Sequence, residues 1–93
     1  MKTKGLQIVT AILAQMIRYF FDTRDGNMLT VDQHGLNLRD TKAPKIEAAK
    51  SLAELATDIL PCSDKCELAV EVRDKRQVVL KTVLNFVAII LVS

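Results

Sequence analysis

Three side chains in this sequence are of types that bind metal ions or act as nucleophiles: the single histidine, His34, and the two cysteines, Cys62 and Cys66. The cysteines are four positions apart, which is within the range of zinc ligands, but a closed zinc site needs four ligands and no second pair is present. His34 lies in a predicted turn without a partner at ligand spacing. We interpret His34 as a surface turn residue and the cysteines as plain thiols; the alternatives are a disulfide under oxidising conditions and a metal shared across a dimer.

Carboxylates are the second group with possible chemistry. Asp22, Asp25 and Asp32 lie near the first predicted hairpin, and paired carboxylates are the minimum for acid–base catalysis or for binding a hard cation. Hairpin turns, however, use aspartate to accept hydrogen bonds from their own backbone. The sequence therefore favours a structural role for these three residues.

Motifs typical of enzymes are absent from the sequence. It contains no glycine-rich phosphate loop, no nucleophile elbow and no His-Glu metal helix. With three glycines in total, close backbone approach to a phosphate is hardly available. We expect no catalytic residue, no cofactor and no bound metal.

Size and charge narrow the possible partners. A chain of 93 residues is long enough for one domain and too short for two cores. Its net charge is only +2, and its basic residues alternate with acidic ones along the predicted strands. That pattern is typical of a solvated mixed-charge surface and does not favour nucleic acid as a partner.

The order of patterns predicts an α+β fold of two β-hairpins joined by one helix (ββαββ). Residues 17–22 and 28–33 read as strands around the turn at residues 24–27, and residues 67–73 and 78–84 alternate as a second hairpin. In its first strand the core face is predicted to carry Leu68, Val70 and Val72, and the water face Ala69, Glu71 and Arg73. Between them, residues 40–60 have a helical period, with a predicted buried stripe of Ile46, Ala49, Leu52, Ala53, Ala56 and Ile59 or Leu60. We expect a four-stranded, mainly antiparallel sheet with the helix on one face.

Two apolar segments do not fit this unit. Residues 86–92 are apolar at every position, and residues 1–15 have the spacing of an amphipathic helix that precedes a single domain at residues 16–93. Either residues 1–15 pack over residues 86–92 on the sheet face opposite the helix, or a second copy of the chain covers them. An exposed β-prone apolar run would promote aggregation, and we favour the second copy. The predicted homodimer interface consists of Phe86, Val87, Ile89, Ile90, Leu91, Leu6, Val9 and Leu13.

The first residues also have the order of a secretion signal, basic and then apolar. The apolar part is short and is interrupted by Gln7 and Thr10, which argues against a signal peptide. No run reaches the ~18 apolar residues that a membrane-spanning helix needs. We expect a cytoplasmic protein with no membrane span.

Residues 16–26 read M-I-R-Y-F-F-D-T-R-D-G. They resemble the opening of a short uncharacterised family frequent in alphaproteobacteria, notably rhizobia, whose members begin M-x-R-Y-F-F-D-x-x-D-G. The likeness continues through D-Q-H-G at residues 32–35, L-R-D at 38–40, L-P at 60–61 and E-L-A-V-E-V-R-D at 67–74, and covers about residues 16–84. The resemblance implies a fold and no activity. Because family members start near Met16, it also implies that residues 1–15 are an upstream extension or follow a misplaced start codon.

These observations predict a small intracellular interaction or assembly module that associates with itself and is not an enzyme. An antitoxin-like binder of a protein or RNA partner is the alternative, because the strand, strand and helix at the start loosely resemble the HicB type of antitoxin.

Overall fold

The computed structural model describes residues 16–39 and 42–92, which form an α+β domain. Its strands are β1 (Ile17–Asp25), β2 (Met28–Thr30), β3 (Leu36–Leu38), β4 (Lys65–Arg73) and β5 (Val78–Val87). Between β3 and β4 lie one helix, α1 (Ala43–Ile59), and a short 3-10 turn (Leu60–Cys62). All strand pairs are antiparallel, in the order β2-β1-β4-β5, and β3 also pairs with β1.

The main difference from the predicted fold lies between β2 and β3. Thr30 is opposite Thr23 and Leu36 is opposite Tyr19, so the chain uses the five residues 31–35 where β1 uses the three residues 20–22. Because this segment is two residues longer than the stretch of β1 that it faces, it cannot pair regularly and forms a loop. We call residues 31–35 the edge loop. The prediction of one strand over residues 28–33 is therefore wrong. The sheet has five strands and not four, and the order of elements along the chain is βββαββ and not ββαββ.

Helix α1 covers one face of the sheet, as predicted, but the predicted buried stripe is correct only in part, since Leu52 packs against the core while other members of the stripe are exposed. The core consists of Tyr19, Ala48, Val70 and Val72, with Phe21, Leu38, Leu52 and Leu80 packed around it. Ala48 is fully buried, whereas Ile46 is 57% exposed and Ala49 and Ala53 are also exposed. The predicted stripe was displaced because alanine fits either side of a helix and gives no direction.

A proline lies at each end of the helical segment, at a position where it does not interrupt the helix. Pro44 is the second residue of α1, where its missing N–H has no helical acceptor, and its side chain is buried. Pro61 lies in the 3-10 turn that follows α1, so the α-helix ends before it.

The second hairpin, β4–β5, is longer than predicted. Asn85, Phe86 and Val87 pair with Glu67, Cys66 and Lys65 and are therefore part of β5. The ladder contains a β-bulge, because Val72 is opposite Leu80 while Arg73 is opposite Val78. Residues 88–92, which follow β5 and are called here the tail, form neither helix nor strand.

The predicted N-terminal helix, with the interface residues Leu6, Val9 and Leu13, lies outside the described residues. Among the residues that the structure describes, no helix has the length and apolarity to cross a membrane.

Candidate functional site

The edge loop is built around the carboxylate of Asp32. Its Oδ1 accepts hydrogen bonds from the backbone N–H groups of His34 (3.0 Å) and Gly35 (3.2 Å), and its Oδ2 accepts one from Phe21 N–H (3.1 Å). Partial burial raises the pKa of Asp32, but these backbone hydrogen bonds outweigh it, so the pKa lies below its usual value. Asp32 therefore holds the turn and clamps it to β1.

Gly35 completes this turn because of its backbone conformation. Its φ is +74°, and a Cβ built there would lie 2.9 Å from the Tyr19 carbonyl oxygen and 3.0 Å from Cε1 of Phe20. Glycine is the residue that adopts this conformation without strain. The position therefore excludes any side chain.

Asp22 and Arg73 fasten the loop to the interior of the sheet. Asp22, which is only 8% exposed, accepts hydrogen bonds from Asp32 N–H (2.9 Å) and from Arg73 Nε (2.8 Å). Arg73 also donates to the Asp32 carbonyl (3.0 Å), and its guanidinium lies over the Phe20 ring, 4.4 Å from the centroid. Asp22, Asp32 and Arg73 form what we call the edge-loop cluster.

The cluster is satisfied internally. Among the described residues, no buried side-chain nitrogen or oxygen lacks a hydrogen-bond partner. Asp25 does not join it, since it is exposed at the far end of β1, opposite Met28 and Leu68. The structure thus brings together two of the three predicted carboxylates, and both are used to hold backbone.

His34 and the cysteines take no part in a joint site. The backbone of His34 accepts a hydrogen bond from Arg18, which also bonds Oδ1 of Asn37 (3.2 Å). Cys62 is exposed and Cys66 is half-buried, and they form no disulfide. Within residues 16–39 and 42–92, no three His, Cys, Asp or Glu side chains are grouped so that they could hold a metal ion.

The sheet face opposite α1 presents paired charges. Arg24 Nε bonds Glu71 Oε2 at 2.5 Å, and Lys81 lies opposite Glu71 in the β4–β5 ladder. Together with the Asp22–Arg73 pair, these contacts place opposite charges side by side across three strands. This arrangement agrees with the mixed-charge surface expected from the sequence.

The tail is the most exposed apolar feature of the described chain. Ile89, Ile90, Leu91 and Val92 are 75%, 76%, 87% and 85% exposed. The tail is held only at its first residue, where Ala88 N–H donates to the Asp64 carbonyl (2.7 Å) in continuation of the β4–β5 ladder.

A shallow apolar cleft, wide open to solvent, lies beside the first residues of the tail. It has a volume of about 460 Å³ and is lined by Ala56, Thr57, Leu60, Pro61 and Phe86. Of the predicted interface residues, Phe86 is half-buried in this wall, Val87 is 59% exposed, and Ile89, Ile90 and Leu91 lie in the tail.

Comparison with known families identifies the domain at this point. The sequence profile of a family described as "Domain of unknown function (DUF6894)" matches residues 18–86. The chain belongs to the DUF6894 family. No curated protein and no solved structure matches the chain.

The DUF6894 region contains the whole edge-loop cluster and Phe86 of the cleft, whereas the tail lies beyond the match. Within this region, sequence reasoning missed the role of Arg73, which was assigned to the solvated side of its strand. The alternation of residues along β4 correctly placed Arg73 on the sheet face opposite Val72. It could not indicate that Arg73 bonds Asp22, because Asp22 lies 51 residues away along the chain.

Proposed function

We propose that this DUF6894 chain is a small interaction module that associates with itself through its apolar tail. The observation that carries the proposal is the run of four aliphatic side chains, Ile89 to Val92, that are each at least 75% exposed. Burial of each would contribute roughly 1.5–3 kcal/mol. A contiguous apolar surface of this kind marks a binding site or an aggregation hazard.

The polar groups support an interaction role over catalysis. The carboxylates that could act as acid and base, Asp22 and Asp32, accept hydrogen bonds from Arg73 and from backbone N–H groups. These contacts fix the edge loop against β1 and leave neither carboxylate without hydrogen-bond partners. We propose that the protein is not an enzyme.

Sedimentation equilibrium of two matched variants tests the proposal. Ile90 and Met28 are 76% and 75% exposed, so Ile90→Lys and Met28→Lys add the same charge at nearly equal exposure. Ile90 lies in the tail that follows β5, whereas Met28 is in β2, at the opposite edge of the sheet. We expect Ile90→Lys to be monomeric and Met28→Lys to associate like the parent chain. Equal association of both variants would exclude the tail from the interface.

Truncation gives a second test if the cut is made after Ala88. Asn85, Phe86 and Val87 pair with β4, so a cut at Asn85 would also damage the sheet. We expect the chain without residues 89–93 to keep the circular dichroism spectrum of the parent and to be monomeric. A truncated chain of unchanged oligomeric mass would contradict the proposal.

The antitoxin-like alternative, a binder of a protein or RNA partner, remains a separate prediction. The ion pairs Arg24–Glu71 and Arg73–Asp22 neutralise the sheet face on which a phosphate backbone would lie, and so they do not favour RNA. A mobility-shift assay at low salt tests the RNA arm of this alternative, and retention of neither RNA nor DNA at micromolar protein would exclude it.

We also propose that the protein resides in the cytoplasm. Two exposed or half-buried cysteines without a disulfide suit a reducing compartment. Cell fractionation followed by immunoblotting tests this, and recovery from a secreted or periplasmic fraction would contradict it.

A further inference from the structure

We propose that two copies of the chain pair edge to edge and antiparallel through β5 and the tail, with the two-fold axis at Asn85. This inference rests on the proposed self-association and adds the surface and the register through which it occurs. The pairing joins two five-stranded sheets into one continuous sheet.

The outer edge of β5 carries backbone groups that have no strand partner among the described residues. β5 is the last strand of the sheet order, so it pairs only on its inner side, with β4. Ala88 N–H bonds the Asp64 carbonyl and therefore faces β4. Alternation along the strand then directs the N–H and C=O groups of every second residue outward, namely those of Lys81, Val83, Asn85 and Val87.

This edge lacks the features that keep other sheet edges apart. Residues 78–92 contain one charged side chain, Lys81, and no proline or glycine. The β-bulge lies only at the start of β5. The opposite edge is blunt, because β2 and β3 have three residues each and the edge loop separates them. Pairing along β5 therefore uses the one long edge of each copy and stops at a dimer.

The sequence of β5 and the tail complements itself when the axis lies at Asn85, the register that overlaps all of residues 78–92. Val83 then lies opposite Val87 of the second copy, and their outward backbone groups form a hydrogen-bonded pair. Lys81 lies opposite Ile89, and the two Lys81 residues are eight positions, about 27 Å, apart. Pairing centred on Lys81 would instead bring the two lysines together. Because the interface contains no ion pair, salt should not weaken it.

The apolar surface along this edge is large enough for a dimer. Eight of the exposed large apolar side chains of the described residues lie in β5 and the tail: Val78, Val79, Val83, Val87, Ile89, Ile90, Leu91 and Val92. At roughly 60 Å² for each, the lower figure for burying an aliphatic side chain, the eight from both copies bury on the order of 1,000 Å². The backbone of the two strands adds to this area, which reaches the size of a specific interface.

Site-directed cross-linking tests the register. In a background with Cys62→Ser and Cys66→Ala, three chains carry Asn85→Cys, Lys81→Cys or Ile89→Cys. Opposed residues of a hydrogen-bonded antiparallel pair have Cα atoms about 5.5 Å apart, within the range of a disulfide. On oxidation we expect Asn85→Cys to cross-link with itself. Lys81→Cys and Ile89→Cys should each remain unlinked alone and form a heterodimer when mixed.

The outcomes separate this inference from the proposed function. A dimer by sedimentation in which Lys81→Cys and Ile89→Cys link no better when mixed than alone would overturn the edge pairing and leave self-association intact. Self-linking of Ile89→Cys without that of Asn85→Cys would show that the tails pair with each other alone, which also overturns the register. A monomer would overturn both proposals.

Amide hydrogen exchange gives a second readout, in which the parent chain is compared with the Ile90→Lys variant. The N–H of Leu84 faces β4 and should exchange within about twofold of the same rate in both. The outward N–H groups of Val83, Asn85 and Val87 should exchange at least roughly tenfold faster in Ile90→Lys. Equal exchange of these three groups in a dimeric parent and a monomeric variant would contradict the inference.

Discussion

At the scale of single residues, the edge-loop cluster shows how three polar side chains replace a stretch of strand pairing. Where residues 31–35 leave the ladder, Phe21 N–H loses a strand partner and bonds the Asp32 carboxylate instead. The Asp32 N–H in turn bonds Asp22. Each bond satisfies a group that would otherwise be buried without a partner, which makes the cluster a structural requirement of the loop.

Gly35→Ala should destabilise the domain more than Gly26→Ala. Both glycines have positive φ, but a Cβ at Gly35 would meet the Tyr19 carbonyl at 2.9 Å, while a Cβ at Gly26 meets nothing within 4 Å. We expect a loss of about 1–2 kcal/mol for Gly26→Ala and a clearly larger one for Gly35→Ala. Urea denaturation measures both, and equal losses would show that the edge loop gives way to the added methyl group.

Asp32 should contribute to stability in a pH-dependent way. Its pKa is lowered in the folded chain, so its contribution is present above the unfolded value of about 3.9 and is lost as the pH falls through the lower folded value. We expect the free energy of unfolding of Asp32→Asn to fall less steeply than that of the parent below about pH 4. Parallel pH profiles for the two proteins would contradict the role given to the carboxylate.

At the scale of elements, the sequence indicated most of the architecture through its periodicity. The alternation of Leu68, Val70 and Val72 correctly predicted the buried face of β4, and the helical period correctly predicted α1. The split between β2 and β3 was not predictable in the same way, because it depends on Asp32 finding Phe21 and Asp22 across the sheet. The buried side of α1 was predicted only in part: Leu52 packs against the core as expected, but Ala48 was missed because the alanines of α1 are compatible with both sides.

A matched pair of valine substitutions tests the observed side of α1. Ala48 is fully buried in the core cluster, whereas the adjacent Ala49 is exposed. Ala48→Val should cost about 1–3 kcal/mol through overpacking, and Ala49→Val should cost less than about 1 kcal/mol. Thermal or urea unfolding measures the difference, and the reverse order would favour the stripe predicted from the sequence.

At the scale of the whole molecule, the sequence showed that residues 86–92 are apolar at every position, and the structure divides this run between the end of β5 and the tail. Phe86 and Val87 belong to β5, where Phe86 is half-buried and Val87 is 59% exposed, and the side chains from Ile89 to Val92 are exposed still further. The cleft beside Phe86 could not be predicted, because the turn after α1 brings Leu60 and Pro61 next to a residue more than twenty positions away. The polar groups of the edge-loop cluster support the fold, whereas the side chains of the apolar tail are exposed.

The most direct test is the mass of the full chain in solution as a function of concentration. Sedimentation equilibrium should give a dimer of twice the 10.4 kDa chain mass at micromolar concentration, with dissociation on dilution that increasing salt does not promote. A well-behaved monomer of 10.4 kDa at every concentration measured would contradict the account.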